Sequence, residues 1–228
     1  MSEVASRYAI DTELAVQLPR LPQLDLSDIE SARAVAAARP TAPLNYPAGV
    51  SVREEQATSA RRDASVRVRL YIPNELAEGA SALLYLPGGG FVIPPSPASY
   101  VWCANFADEI GALVVLVEYR LAPENPFPAG FVDALTALEW LAAESGRLGI
   151  AGDRIAIGGD SAGAALAAGL ALWCRDHGGP RLCLQYLGIP VLDDRLQTRS
   201  MTFLRRSGAR DSGKEHDPRR PTPSSSNT

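Results

Sequence analysis

At 228 residues, 46% of them hydrophobic, the chain has room for one sizeable core and a small appendage. A net charge of -4 and a pI near 5.3 weigh against nucleic acid or an anionic membrane as the main partner. Neither a basic leader before an apolar run nor a run near the ~20 apolar residues of a membrane span is present, so no membrane association and a cytoplasmic location are expected.

In chain order, residues 1–45 read as an N-terminal helical cap segment. A short helical piece over 11–18 ends at Pro19. A second helix opens on a capping box, Ser27 with Glu30, and runs through Ala38 to stop before Pro40. Leu14, Leu18, Leu24 and Leu26 need a surface to pack on, which makes these pieces a cap over the main body. From Val50 the pattern turns to strands. Val66, Val68 and Leu70 alternate with Arg67 and Arg69, the period of a half-buried strand, and Arg61-Arg62-Asp63 marks the turn of an antiparallel hairpin over 50–72. Residues 82–86 form a continuous apolar run, as expected of a strand covered on both faces. Pro87-Gly88-Gly89-Gly90 follows it. A helix over 100–110, a strand over 113–117 and a proline-studded loop over 121–128 come next. The helix over 129–144 carries Phe131, Leu135, Leu138 and Leu141 on its core face, with Asp133 assigned to its first turn as a partner of the helix dipole. An elbow strand (Ile155, Ile157) precedes a small-residue helix over 162–176, where Arg175 and His177 suit the C-terminal dipole and Gly178 is the stop. A last strand spans 182–191. Strands alternating with helices after an opening hairpin predict an α/β fold, a mostly parallel sheet with helices on both faces. Residues 46–204 form its core, and 205–228, charged and without large apolar residues, read as a disordered tail. Cys103, Cys174 and Cys183 lack the spacing of a metal site or disulfide framework and are expected to be small buried hydrophobes in a reducing compartment.

Chemistry concentrates at two glycine-rich turns. Gly159-x-Ser161-x-Gly163 joins a strand to a helix, the pattern of a nucleophile elbow with serine at its apex. The flanking glycines suit a turn too tight for a Cβ, and Ala162 opens the helix with its N–H towards a developing oxyanion. Gly88-Gly89-Gly90 lies after a central strand, where open α/β sheets bind ligands, and its amides can face a cavity unobstructed by side chains. Beside an activated serine, that turn is an oxyanion hole for acyl transfer. A phosphate loop is the rival reading, but no Gly-Lys-Ser/Thr and no G-x-G-x-x-G occurs here.

The stretches Pro87-Gly-Gly-Gly-Phe91, Glu118-Tyr-Arg-Leu-Ala-Pro-Glu-Asn-Pro-Phe-Pro128 and Gly158-Gly-Asp-Ser-Ala-Gly163 together resemble the hormone-sensitive-lipase family of α/β-hydrolases, in family order and over residues 10–202. The resemblance implies serine-dependent hydrolysis of carboxylic esters, usually of short acyl chains, on a small-molecule substrate and with neither metal nor organic cofactor. It assigns Ser161 as nucleophile, the amides of Gly89, Gly90 and Ala162 as oxyanion hole, Gly159, Asp160 and Gly163 as elbow support, and 119–128 as a structural loop beneath the site. Two departures stand out: Pro87 replaces the histidine that opens the family's oxyanion motif, and Pro94-Pro95 stands where a small residue is usual.

The acid and base of a triad remain unassigned. His177 closes the elbow helix, roughly 24 Å from Ser161 at about 1.5 Å per residue. His216 lies in the charged tail, where Asp194…His216 has the right order but too few strands before it, and Asp217-Pro218-Arg219 has no histidine after it. The likeness ends near Thr202, which suggests a truncated or frame-shifted C-terminus. Two readings follow: an esterase of weak or absent activity, or a non-catalytic remnant of a hydrolase core. In either case the 182–191 strand becomes an apolar, uncharged edge, and self-association through it is expected.

Overall fold

The computed structural model describes residues 11–17, 25–38, 44–195 and 197–199. In chain order the elements are α1 (Thr12–Gln17), α2 (Ile29–Ala37), β1 (Val50–Ser59), β2 (Arg62–Pro73), β3 (Ala80–Leu86), α3 (Pro97–Ile110), β4 (Leu113–Val117), α4 (Ala129–Ala143), β5 (Ile150–Asp160), α5 (Ala162–His177) and β6 (Leu184–Gly188). The strands form one sheet in the order β1-β2-β4-β3-β5-β6. β1 and β2 pair antiparallel, β2 runs antiparallel to β4, and β4, β3, β5 and β6 are parallel. This is the α/β-hydrolase arrangement expected from the sequence. The chain divides into two units, Met1–Val191 and Leu192–Thr228. In the second, Arg195 pairs with Asp193 at 2.8 Å.

Burial explains the sheet. All five residues of β4 are buried, because helices cover both of its faces. On β2, Val66, Val68 and Leu70 enter the larger core beneath α4 and α5, while Arg67 reaches out to Glu118 and Arg69 to Glu54. The smaller core on the opposite face packs Cys103, Ala104 and Ala107 of α3 against Tyr71, Leu83, Tyr85 and Val114.

Several local expectations need correction. The N-cap of α2 is Asp28, whose carboxylate accepts from Ser31 N–H; Ser27 instead donates to Asp25 through its own N–H and hydroxyl. α3 begins three residues earlier than expected, with Ser96 as N-cap and Pro97 at the first helical position, a start that the Ser-Pro pair itself signals. Asp133 lies beyond the first turn of α4. It is fully buried, pairs with Arg120 (Nη2–Oδ1 2.7 Å) and accepts the Arg120 backbone N–H at 2.7 Å, which ties the loop after β4 to α4. Cys103 and Cys174 are buried, but Cys183 is exposed. Leu14 and Leu26 remain 62% and 53% exposed, so the N-terminal segment buries less than its composition suggests; Leu18 and Leu24 lie outside the described residues. α5, small or apolar nearly all round in sequence and so expected to lie buried against the sheet, buries one face, while Leu172 on its other side is 53% exposed. The tail over 205–228, with His216 and Asp217, also lies outside the described residues.

No helix among the described residues is long and apolar enough to cross a membrane.

Candidate active site

The sheet order places the two glycine-rich turns side by side. From β3 the chain crosses by α3 to β4 on one flank, then by α4 to β5 on the other, so the C-terminal ends of β3 and β5 border the crevice where an α/β sheet changes direction. The 88–90 turn leaves β3 there, and Ser161 leaves β5. Leu86 and Gly159 are paired in register immediately before the two turns.

Ser161 occupies φ 52°, ψ -113°, a conformation that costs a non-glycine residue roughly 1–3 kcal/mol and is held by its surroundings. Its N–H donates to Gly188 O at 2.8 Å, and its carbonyl accepts from Ala165 N–H at 3.1 Å. The backbone is thereby anchored on both sides while the side chain faces a cavity of about 760 Å³. The elbow glycines are required for space. A Cβ on Gly159 would lie 2.7 Å from the Gly163 carbonyl carbon, and one on Gly163 would lie 2.7 Å from Pro87 O and closer still to Leu86 O. Small residues at 159 and 163 therefore let α5 start directly against the end of β3.

Across the crevice, Gly88 approaches Ser161 closely: a Cβ there would lie 2.8 Å from Asp160 O and 3.5 Å from Ser161 Cβ. Gly89 has φ 136° and Gly90 φ 60°, conformations that favour glycine. The Gly89 carbonyl turns back to accept from Val92 N–H (3.0 Å) and Ile93 N–H (2.8 Å). Neither Gly89 N–H nor Gly90 N–H donates to a described residue. Ala162, as the first residue of α5, has no helical acceptor for its N–H. The turn is braced from behind, where Tyr119 donates its hydroxyl to Pro87 O at 2.7 Å. Burial pushes the Tyr119 phenol well above its ordinary range, so it remains a donor. The 119–128 loop thus braces the glycine turn, consistent with the structural role expected of it.

Asp160 has a definite neighbourhood. Its Oδ2 accepts the Tyr85 hydroxyl, tying the end of β5 to β3, and a Cβ on Gly188 would collide with Oδ1. Burial, then the hydrogen bond to Asp160, raises the Tyr85 phenol far above its usual value, so that tie persists at working pH. Both residues line the cavity with Ser161, Gly88–Gly90, Ala36 and Ala37. The Tyr85 contact was not foreseen; its only signal in the sequence is a tyrosine within an otherwise apolar strand.

No described histidine reaches Ser161. His177 sits at the far end of α5, with Nδ1 3.0 Å from Trp173 O and its ring stacked on the Trp173 indole at 4.8 Å, a helix-terminal role as expected.

The comparisons with known proteins agree with this fold. Residues 83–213 match the family described as alpha/beta hydrolase fold. The chain is 41% identical over 127 residues to Esterase LipI of Mycobacterium tuberculosis, covering 55% of this chain and 40% of that protein. It is 42% identical over 131 residues to an ethyl acetate hydrolase of Pseudomonas putida, with 55% and 41% covered. Human hormone-sensitive lipase is 34% identical over 106 residues, 46% of this chain and 10% of that one. Among solved structures, a bacterial heroin esterase superposes with a TM-score of 0.79 at 44% identity, covering 85% of this chain and 62% of that one. The match thus spans about 40% of the length of the two bacterial relatives named here. With its sheet order, its elbow serine and its glycine turn, the chain belongs to the α/β-hydrolase fold family, among the relatives of hormone-sensitive lipase.

Proposed function

We propose that this chain carries the nucleophile and oxyanion half of a carboxylic ester hydrolase acting on short-chain esters of small molecules. Ser161 Oγ attacks the ester carbonyl, and the amides of Gly89, Gly90 and Ala162 receive the charge that develops on its oxygen. Gly159, Asp160 and Gly163 support the elbow. One observation carries this reading: a serine in a left-handed, strained conformation at a strand-to-helix turn faces an open glycine turn across a shared cavity. The names of the relatives, esterases and an ethyl acetate hydrolase, support the reaction class. The free cysteines Cys103, Cys174 and Cys183 fit a cytoplasmic location.

Turnover by the 228-residue chain is expected to be weak, because no described imidazole can take the proton from Ser161. Serine hydrolases that lose a triad member keep about 10³–10⁴-fold catalysis from binding and the oxyanion hole. The test is hydrolysis of p-nitrophenyl acetate by the wild-type chain and by Ser161→Ala. A slow, saturable rate that vanishes in the variant is expected. A rate equal in both proteins would remove Ser161 from the chemistry, and a fast wild-type rate would show that a base outside the described residues reaches it. The second reading, a remnant that binds without turnover, is favoured if neither protein exceeds the uncatalysed rate.

We also propose that β6 pairs with a second copy of the chain. Among the described residues its one strand partner is β5, and Leu184, Tyr186 and Ile189 are 56%, 38% and 82% exposed. The strand Leu184–Gly188 carries no charge to repel an identical edge. Light scattering is expected to give a mass that rises with concentration, and Leu184→Lys should suppress the rise. A wild-type mass fixed at the monomer value would end this proposal.

A further inference from the structure

Arg33, on the cap helix α2, makes more contacts with the body of the fold than any feature of its sequence neighbourhood suggests. Its Nε donates to Val92 O at 2.7 Å, and its Nη2 donates to Ala122 O at 2.9 Å. Both terminal nitrogens also grip Glu124, Nη1–Oε1 at 2.6 Å and Nη2–Oε2 at 2.9 Å, a planar two-point pairing that lysine cannot reproduce. One guanidinium therefore joins three segments: α2, the turn that continues from Gly89 to Ile93, and the loop after β4. The last two are already linked by the Ala122 N–H, which donates to Phe91 O at 3.0 Å. The hydrogen bonds from Arg33 hold the Glu124 carboxyl at about 2, far below its usual value, so the pair is ionised at any working pH.

Position adds a second consequence. Ala36 and Ala37 stand three and four residues beyond Arg33, on the same face of the helix, and both line the cavity that holds Ser161. The face that forms a wall of the cavity is thus the face clamped to the oxyanion turn. The Val92 carbonyl taken by Arg33 lies two and three residues beyond the Gly90 and Gly89 amides. Val92 N–H and Ile93 N–H in turn hold the Gly89 carbonyl, whose orientation fixes the adjoining peptide planes.

We propose that Arg33 is a positioning residue for the oxyanion turn, coupling the cavity wall on α2 to the orientation of the Gly89 and Gly90 amides. The proposal rests on the ester-hydrolysis reading for its catalytic consequence, but its structural content stands apart from turnover. Without the guanidinium, Val92 O and Ala122 O return to solvent, Glu124 loses its partner, and the turn keeps its internal hydrogen bonds, the Ala122 N–H to Phe91 O bond and the brace from Tyr119. With the clamp in place, the cavity wall on α2 and the 89–90 turn are held in one arrangement.

The test compares the full chain with Arg33→Met, Arg33→Lys and Glu124→Gln, by amide hydrogen exchange and by p-nitrophenyl acetate hydrolysis. In Arg33→Met, exchange at Val92 and Ile93 should rise about tenfold or more, the scale of one charge-assisted hydrogen bond, with β4 unchanged. Arg33→Lys should recover only part of the protection. Glu124→Gln, which leaves the bonds to Val92 O and Ala122 O in place, should change it little. In the rate assay, Arg33→Met should lower kcat about tenfold with KM within about threefold, the signature of a lost transition-state contact. Unchanged exchange at Val92 and Ile93 would overturn the proposal, as would faster exchange throughout β4, which would make Arg33 a general support. A rise in KM alone would restrict Arg33 to the cavity wall and overturn its role at the turn. Should the wild-type chain show no turnover, the ester reading fails while the exchange comparison still decides whether the clamp orders the turn.

Discussion

Gly163→Ala is expected to cost the fold about 3 kcal/mol or more, the upper end of what added core atoms cost. The added Cβ would lie 2.5 Å from the Leu86 carbonyl carbon, 2.7 Å from Pro87 O and nearer still to Leu86 O. These are backbone atoms at the end of a buried central strand, so no side chain can rotate away. Either α5 lifts from the sheet or the end of β3 shifts, and each option disturbs the core around Leu166, Ala167 and Leu170. Alanine's better helix propensity returns only about 1 kcal/mol. Against a total stability of about 5–15 kcal/mol the loss is large. For a chain of this size it should lower the melting temperature by roughly 6–12 °C. Gly169→Ala is the control within the same helix. Its Cβ meets only the edge of the Phe131 ring, at 3.4 Å, so its melting temperature should stay near that of the wild type or rise slightly. Equal melting temperatures for the wild type and Gly163→Ala would show that the elbow is looser than its geometry implies.

The features legible in the sequence are those decided locally. The five residues Leu113–Val117 are all apolar and all buried, and a strand covered on both faces leaves no polar position to blur its ends. Gly178, left-handed at φ 67°, ends α5 where the sequence placed the stop. The elbow was recognisable for the same reason, since the glycines that give Ser161 its turn lie within two residues of it. Distant partners were not legible. Arg33 sits 59 residues from Val92 and 91 from Glu124, and nothing near it distinguishes it from any solvated arginine on a helix. Asp133 looked like a dipole partner because helix position is local information, whereas its actual partner, Arg120, is brought to it by the fold of the intervening loop. Cys183 was expected inside because cysteine is usually buried; its exposure depends on what flanks β6, which no single residue type encodes. The same limit applies at the site itself. The proposed nucleophile and oxyanion donors are each within a few residues of a recognisable turn, but a group that would accept the serine proton must arrive from elsewhere in the chain or its surroundings.

Gly89→Ala is expected to reduce ester turnover to the level of Ser161→Ala while leaving the core intact. At φ 136° the glycine adopts backbone that an L side chain rarely enters, and its Cβ would be driven into the Ile93 carbonyl. Relief requires the turn to open, which swings the Gly89 and Gly90 amides away from the position that the oxyanion would occupy. Loss of one such donor costs about 10²–10³ in rate in well-characterised serine hydrolases. A chain whose turnover is already slow would then fall to background. The melting temperature should change by only a few degrees, because the turn lies outside the two buried clusters. Gly90→Ala separates strain from collision. At φ 60° the added Cβ meets nothing closer than Val92 Cγ2 at 3.9 Å, leaving only the left-handed penalty of about 1–2 kcal/mol. If that strain is relieved by a partial turn of the peptide, the rate should fall by about tenfold, between wild type and Gly89→Ala. Equal rates in Gly89→Ala and wild type, with both proteins folded, would place the oxyanion outside the glycine turn. Ala162 N–H would then be its principal donor.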